Sequence, residues 1–272
     1  MKKQKRIFGK IFLGLTVFFF YLPIVYVVIF SFNSSKSLTV LKGFSLQWYE
    51  KMFRDSQMMQ SLYTTVLVAV IATVVSTIAG TLAAVGLSKS KKVVRDLISQ
   101  INDFPIMNPE IVTAIGLMLF FITFRIERGL LTMILAHIAF CTPYVILSVM
   151  PKLRSLDPNL ADAAMDLGAT PAQALIKVIV PQISPGVFSG ALIAFTMSFD
   201  DFIISYFVTG RGVKNLSIMV YTMSKRVNPS INAVSSLVVA VITVVLIVIN
   251  VVPVIIEQAG KRKKRRTETT AQ

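Results

Sequence analysis

Runs of about twenty apolar residues dominate this sequence and limit what the chain can fold into. Charged residues make up only 15% of the 272 residues, and the mean hydropathy is +0.72. A helix of about 20 apolar residues spans the hydrocarbon core of a bilayer, whereas about a quarter of the residues in a soluble domain are charged. The sequence therefore predicts an all-α, polytopic membrane protein.

Six such runs are separated by polar or charged segments. We expect one transmembrane domain over residues 1–272, with a long loop, 151–184, between spans 4 and 5. Pro105 and Pro109 interrupt span 3, where Asn108 is expected to cap a restarted helix. The predicted spans are about 11–32, 61–87, 97–124, 130–150, 185–208 and 231–256.

Basic residues set the predicted orientation. Of the 28 Lys and Arg residues, 18 fall in the N-terminal segment, the loop after span 2, the 151–184 loop and the C-terminal tail. Cytoplasmic loops of membrane proteins carry such an excess of positive charge. We therefore expect a plasma or inner membrane protein with both termini in the cytoplasm. Because the net charge of +15 follows from this pattern, we expect no nucleic-acid partner.

The segment Asp157–Pro181 is predicted to fold into two short helices. Asp157 is a candidate cap for the first helix, and Gly168 would end it. Thr170 would cap the second helix, and Pro181, which lacks an N–H group, would end that one. A loop that folds in this way is expected to contact a partner.

The first of these helices has one narrow apolar face, formed by Leu160, Ala164 and Leu167. Asp162 and Asp166 lie four residues apart, a spacing at which like charges repel on a helix. A basic partner surface would relieve this repulsion. From these residues alone the helix either docks onto another protein or lies on its own membrane domain.

Three acids lie inside predicted spans, namely Glu110, Asp200 and Asp201. A charged acid in the bilayer centre costs about 2.5–3.5 kcal/mol on insertion scales, so such residues face a cavity or a partner. We expect these acids to line a path for an elongated polycation, with Tyr144 and Tyr206 adding cation–π contacts.

Helix rise places the acids at two depths, with Asp200 about 22 Å from Pro185 and Glu110 about 21 Å from Phe124. Other roles stay open for each acid. Glu110 begins a helix, where an acid stabilises the helix dipole. Either aspartate has basic residues of the outer loop as alternative partners, and these are Arg211 and Lys214.

The sequence predicts no catalytic or metal site. His137 and Cys141 are the only histidine and cysteine and lie four residues apart in span 4, where we interpret them as packing residues. The sequence lacks the phosphate-binding pattern GxxxxGK[ST]. We therefore expect a non-catalytic membrane subunit that binds no cofactor.

The central loop also carries a recognisable motif. Asp162-Ala163-Ala164, three residues, Gly168, nine residues and Val178-x-Val180-Pro181 resemble the EAA motif of ABC-importer permeases. Asp replaces the usual Glu, and Val stands at the Ile and Leu positions. Further segments are similar to permease subunits of spermidine/putrescine importers: SFNSS (31–35), FSLQWYEKMF (44–53), NPEIV (108–112), HIAFCTPYV (137–145) and SFDDFIISYFVTG (198–210).

The resemblance implies a polyamine-importer permease whose loop is a coupling helix. It implies four partners: a cytoplasmic ABC ATPase dimer, a second permease subunit in a heterodimer, an extracytoplasmic substrate-binding protein and the polyamine. ATP and Mg would be bound by the ATPase. The implied coupling residues are Asp162, Ala163, Ala164, Asp166, Leu167, Gly168 and Pro181.

Other functions remain open from the sequence. One is an ABC permease for a different small solute. Another is a secondary transporter or cation channel that uses its acids directly, which leaves the structured loop without a role. Uptake that persists without an ATPase would favour this last class.

Overall fold

A computed structural model describes residues 2–37, 39–210, 212–224, 229–244 and 247. These residues fall into two compact units, one within 1–56 and 223–272 and the other within 57–222. Apart from an isolated bridge between Asn33 and Phe44, the regular structure in the described part is helical. The helices are α1 (Lys2–Ser31), α2 (Gln47–Arg54), α3 (Ser56–Lys89), α4 (Lys92–Met107), α5 (Glu110–Thr123), α6 (Leu130–Arg154), α7 (Leu160–Asp166), α8 (Pro171–Ala174), α9 (Val180–Asp200), α10 (Ile203–Val208), α11 (Leu216–Ser224) and α12 (Ser230–Val244).

The all-α membrane fold is confirmed. Within the described residues, four helical stretches are long and apolar enough to cross a membrane: Gly9–Ser31, α3, α6 and Pro171–Asp200. The pair α4 and α5 is bent by 107° and makes a fifth if it counts as one span. α12 is the first part of the predicted sixth span, whose remainder to residue 256 lies largely outside the described residues. The sixth span therefore stays a prediction.

The start of span 5 differs from the prediction. One helical path runs from Pro171 to Asp200, so Pro181 does not end a helix and Pro185 does not begin one. A π-helical turn, Leu175–Ile179, joins α8 to α9. This wider turn directly precedes Pro181, which has no N–H to donate, and so accommodates the proline within a continuous helix.

The loop before span 5 is correspondingly shorter than predicted. α6 continues through Pro151 to Arg154, four residues beyond the predicted end of span 4. With the next continuous helix beginning at Pro171, the connection comprises residues 155–170 and contains α7.

The break in span 3 lies at Pro109, as predicted, but Pro105 lies inside α4 and does not interrupt it, and the cap at the break is different. α4 ends at Met107, and Asn108 forms its C-terminal cap by donating from Nδ2 to the Phe104 carbonyl at 2.9 Å. The prediction that Asn108 caps the following helix is therefore wrong. Pro109 holds that position, and Glu110 is the first residue of α5.

Close packing in the second unit centres on Val145 of α6, whose side chain is fully buried. A Cβ atom on Gly80 of α3 would lie 2.8 Å from the Val145 Cβ. A Cβ atom on Gly190 of α9 would lie 3.2 Å from the Val145 Cα. Small residues let membrane helices approach in this way, and here they hold α3 and α9 against α6.

We predict that Gly80→Ala destabilises the protein by about 1–3 kcal/mol, the usual range for overpacking a core. Val145 cannot move aside because Gly190 confines it from α9. Gly116→Ala is the matched control, since no atom lies within 4 Å of its added Cβ. Thermal unfolding of the purified protein in detergent measures both, and equal midpoints for the two variants would contradict the packing described.

Candidate functional site

Span 5 is interrupted immediately after Asp200, and Asp201 makes the interruption possible. Asp201 leaves the helix with φ −58° and ψ 129°, and α10 begins two residues later. Its carboxylate accepts hydrogen bonds from the backbone N–H groups of Ile204 at 3.1 Å and Ser205 at 2.7 Å. In a bilayer each backbone N–H needs an internal partner, and Asp201 supplies two. Span 5, which was predicted to run to about Val208, is therefore divided at Asp201 into α9 and α10.

His137 of α6 contacts this break from the side. Its Nε2 lies 3.2 Å from Oδ2 of Asp201 and 2.9 Å from Oγ of Ser205. Its Nδ1 lies 2.6 Å from Oγ of Ser198. The imidazole is 1% exposed. We call this set, completed by Asn215, the His137 network.

Sequence reasoning assigned His137 to packing, and the structure adds polar partners that it missed. These partners lie 61 to 68 residues away along the chain, so no local spacing connects them. The available signal was a single imidazole inside an apolar span, where polar side chains need partners. Cys141 is fully buried, and its Sγ lies 3.4 Å from the Ala194 carbonyl oxygen.

Glu110, half-buried at the start of α5, interacts electrostatically with Asp200 and Asp201. The three acids therefore form one electrostatically interacting group. Carboxylates gathered in this way repel one another, and a cation between them relieves the repulsion.

Asp200 is the exposed member of the pair at the break. Its backbone carbonyl accepts a hydrogen bond from Oγ of Ser217 at 3.2 Å. Within the described part of the chain no ion pair joins Asp200 or Asp201 to Lys214, and Arg211 lies outside that part. The Asp200 carboxylate is therefore open to a ligand, whereas that of Asp201 is occupied.

The two predicted tyrosines have different surroundings. Tyr144 is half-buried, interacts electrostatically with Glu110, and packs edge-on against Phe140 with ring centroids 5.5 Å apart. Tyr206 is 50% exposed and lies 5.4 Å from the Phe202 ring and 6.1 Å from the Tyr221 ring. Tyr144 thus belongs to the acidic group, and Tyr206 to an aromatic cluster just after the break. Acids beside aromatic rings can bind organic cations.

The turn after α7 has the geometry that its glycine predicted. Gly168 has φ +89°, a left-handed conformation that other residues rarely adopt. The N–H of Ala169 donates to the Ala164 carbonyl, and that of Gly168 donates to the Met165 carbonyl. These two bonds form a Schellman motif, which ends the helix and reverses the chain.

Of the two predicted helix caps in this loop, Asp157 and Thr170, only Thr170 is confirmed. Thr170 caps α8 in a capping box, since its Oγ1 accepts from the Gln173 N–H and Oε1 of Gln173 accepts from the Thr170 N–H. Asp157 does not cap α7. It accepts instead from the N–H of Asn159 at 2.9 Å, and Asn159 is the residue that precedes the helix.

α7 presents one face to its own chain and one to its surroundings. Ala161 is buried, and Met165 lies beside it over a cavity of about 500 Å³ between α7 and the ends of α3 and α6. Leu167, by contrast, is 91% exposed. The other predicted coupling residues divide between exposed positions (Asp162, Ala163, Asp166, Gly168 and Pro181) and one half-buried position (Ala164).

Helices long enough to cross a membrane, an acidic break in span 5 and a structured loop before that span are features that fit a membrane permease. The chain belongs to the family of binding-protein-dependent transport system inner membrane components, whose model matches residues 76–266. The family places it in the inner membrane as a multi-pass protein, and this part of the predicted location is confirmed.

Characterised relatives cover most of the chain. The putrescine transport system permease protein PotI of Escherichia coli is 38% identical over 240 residues, covering 84% of this chain and 83% of its own. The spermidine/putrescine transport system permease protein PotC of Haemophilus influenzae is 33% identical over 222 residues, covering 81% and 86%.

The fold is also found in solved transporters. One similar structure is that of a bacterial ABC transporter involved in the import of the acidic polysaccharide alginate, with a TM-score of 0.71 and 20% identity. The alignment covers 92% of this chain and 96% of that one.

We predict that Asp201→Ala destabilises the protein by more than about 2 kcal/mol, because two buried N–H groups and the imidazole lose their acceptor. Asp200→Ala should cost much less, since that side chain is exposed. Asp201→Asn keeps one acceptor oxygen and should fall between them. Thermal unfolding in detergent ranks the three variants, and an Asp200→Ala midpoint as low as that of Asp201→Ala would contradict the assignment.

Proposed function

We propose that this chain is the permease subunit of an ATP-driven importer for polyamines such as putrescine and spermidine. The observation that carries the substrate class is the acidic group of Glu110, Asp200 and Asp201, gathered inside the membrane domain beside aromatic rings. The names of the PotI and PotC relatives, which are putrescine and spermidine/putrescine permeases, support the same class.

The acids have separate roles in this proposal. Asp201 holds the break in span 5 together, and its oxygens are occupied by N–H donors. Asp200 and Glu110 are the acids that contact an ammonium group of the substrate. Tyr144, next to Glu110, faces the same charge with an aromatic ring, which attracts cations through its quadrupole.

A polyamine suits this arrangement because it carries several ammonium groups separated by methylene chains. One ammonium group close to Asp200 and Glu110 would offset part of their combined negative charge. Phe202 and Tyr206 follow the break within a few residues and pack against Tyr221 of α11. This aromatic cluster offers apolar surface and ring faces to the rest of the molecule. Tyr206 thus contacts the substrate along its path rather than at the acids.

Transport is driven by a separate cytoplasmic ATPase dimer that binds ATP and Mg, and α7 docks onto it. α7 is suited to docking because Ala161 faces its own chain while Leu167 is left almost fully exposed. The exposed acids Asp162 and Asp166 favour a basic docking surface, which would relieve their mutual repulsion. Pro181 acts indirectly, since it lies in the helix that leaves the loop. This chain itself catalyses no reaction and holds no cofactor.

The remaining partners follow from this role. A second permease subunit completes the pathway as a heterodimer, and an extracytoplasmic binding protein delivers the polyamine. A solved structural neighbour, which was crystallised with its periplasmic protein, supports the second of these partners. Both termini and the α7 loop face the cytoplasm, in agreement with the excess of basic residues there.

We predict that Asp200→Asn and Glu110→Gln each lower spermidine uptake by about tenfold or more, the effect of losing about 1.4 kcal/mol of binding free energy. Uptake of labelled spermidine by the complete transporter in proteoliposomes, at equal protein, measures this. Glu127→Gln, the same change at an exposed acid in the turn between α5 and α6, is the control. Normal uptake by both acid variants would show that the acids do not bind the substrate.

Coupling is tested at Gly168. Gly168→Leu should abolish ATP-driven uptake, whereas Gly168→Asn should retain most of it, since asparagine tolerates left-handed backbone angles. A Cβ at this position meets no atom within 4 Å, so the comparison isolates backbone conformation from steric overlap. Membrane insertion should be normal for both variants. Full uptake with Gly168→Leu would be incompatible with a coupling role for this turn.

A further inference from the structure

We propose that His137 and Asn215 are positioning residues for the substrate: they fix Asp201 at the break in span 5 and thereby aim the carboxylate of Asp200 into the pathway. The inference rests on the proposed function and extends it to two residues that do not contact the substrate. Three sets of hydrogen bonds to residues 200 and 201 and their neighbours, which we call anchors, carry it.

The first anchor comes from α6. His137 reaches Asp201 with Nε2 at 3.2 Å, and Ser198, two residues before Asp200, with Nδ1 at 2.6 Å. An imidazole with its proton on Nε2 donates to the carboxylate and accepts from the Ser198 hydroxyl, so neither ring nitrogen is left unpaired. His137 therefore contacts both the end of α9, through Ser198, and Asp201, the first residue after that helix.

The second anchor comes from the segment that leads into α11. Nδ2 of Asn215 donates to the Asp201 carbonyl at 2.9 Å and to Oγ of Ser205 at 2.8 Å. Oδ1 of Asn215 accepts from the N–H of Ile218, so the amide itself is held in place. Asn215 is 2% exposed. It ties the backbone at the break to the first turns of both α10 and α11.

The third anchor acts on Asp200 directly. Oγ of Ser217 donates to the Asp200 carbonyl, which is a free acceptor because the helix ends there. Residues 200 and 201 are thus held by hydrogen bonds from α6, from α10 and from the start of α11. Without these bonds the peptide groups at a helix break can rotate, and the exposed Asp200 side chain would rotate with them.

The arrangement also explains which acid remains for a ligand. The Asp201 carboxylate accepts from two backbone N–H groups and lies beside His137, so its charge is satisfied within the protein. Among the described residues, the hydrogen bonds from the N–H groups of α10 go to Asp201 and not to the exposed carboxylate of Asp200. Without His137 the Asp201 carboxylate would lose one of its hydrogen-bond donors. The geometry that separates the roles of Asp201 and Asp200 would then loosen.

The test is a double-mutant cycle on spermidine uptake by the complete transporter in proteoliposomes. His137→Leu should raise the KM about tenfold, the effect of about 1.4 kcal/mol, with little change in the maximal rate. His137→Gln, which can still donate to Asp201, should restore a KM close to that of the unmodified protein. In the Asp200→Asn background, His137→Leu should change the KM less than about twofold, because coupled residues are not additive.

Asn215→Leu should show the same dependence on Asp200. Cys141→Ala is the matched control, since it shortens a buried side chain one turn along α6 from His137 whose hydrogen bond goes to the Ala194 carbonyl and not to the network. Its KM should be unchanged even if the thermal midpoint falls. Equal effects of His137→Leu with and without Asp200, or a loss only of the maximal rate, would overturn the inference.

The outcomes separate the two proposals. A raised KM for Asp200→Asn together with a normal KM for His137→Leu overturns the positioning role alone. A normal KM for Asp200→Asn removes Asp200 from the proposed substrate site, and the positioning inference falls with it.

Discussion

The packing of the second unit of this protein depends on the break after Asp200, where unpaired backbone groups need hydrogen-bond partners. A helix that stops inside a bilayer leaves N–H and carbonyl groups that lipid cannot satisfy. The Asp201 carboxylate accepts hydrogen bonds from two of the N–H groups and lies beside His137. Asn215 and Ser217 donate to the carbonyl groups of Asp201 and Asp200 at the break. The break is stable because α6, α10 and α11 converge on it.

The same constraint divides two adjacent aspartates into different roles. In a continuous helix the side chains of Asp200 and Asp201 would point about 100° apart, but the helix itself would give neither of them special hydrogen-bond donors. The break instead buries Asp201 among donors and leaves Asp200 exposed near Glu110. A buried carboxylate with donors is structural, whereas an exposed carboxylate beside another acid attracts cations. The proposed polyamine site therefore depends on a structural neighbour that does not itself bind the substrate.

A single helical path of 30 residues, Pro171–Asp200, connects the two ends of the proposed mechanism. It begins at the capping box of Thr170, next to α7, and ends at the acid that is proposed to contact the substrate. At about 1.5 Å per residue this path is about 45 Å long. The π-helical turn before Pro181 keeps the helix continuous between the loop and the break.

The sequence by itself determined the features that depend on local chemistry. Apolar runs predicted the membrane helices, Gly168 predicted a left-handed turn, Thr170 predicted a cap, and the loop motif indicated the family. Only the tertiary structure decided the features that depend on distant contacts. A π-helical turn overrode the stop expected at Pro181, and the partners of His137 lie more than 60 residues away. Asp200 and Asp201 are equivalent in the sequence, and only packing against α6 and α11 shows which one is occupied, because burial and hydrogen bonding are properties of the assembled helices.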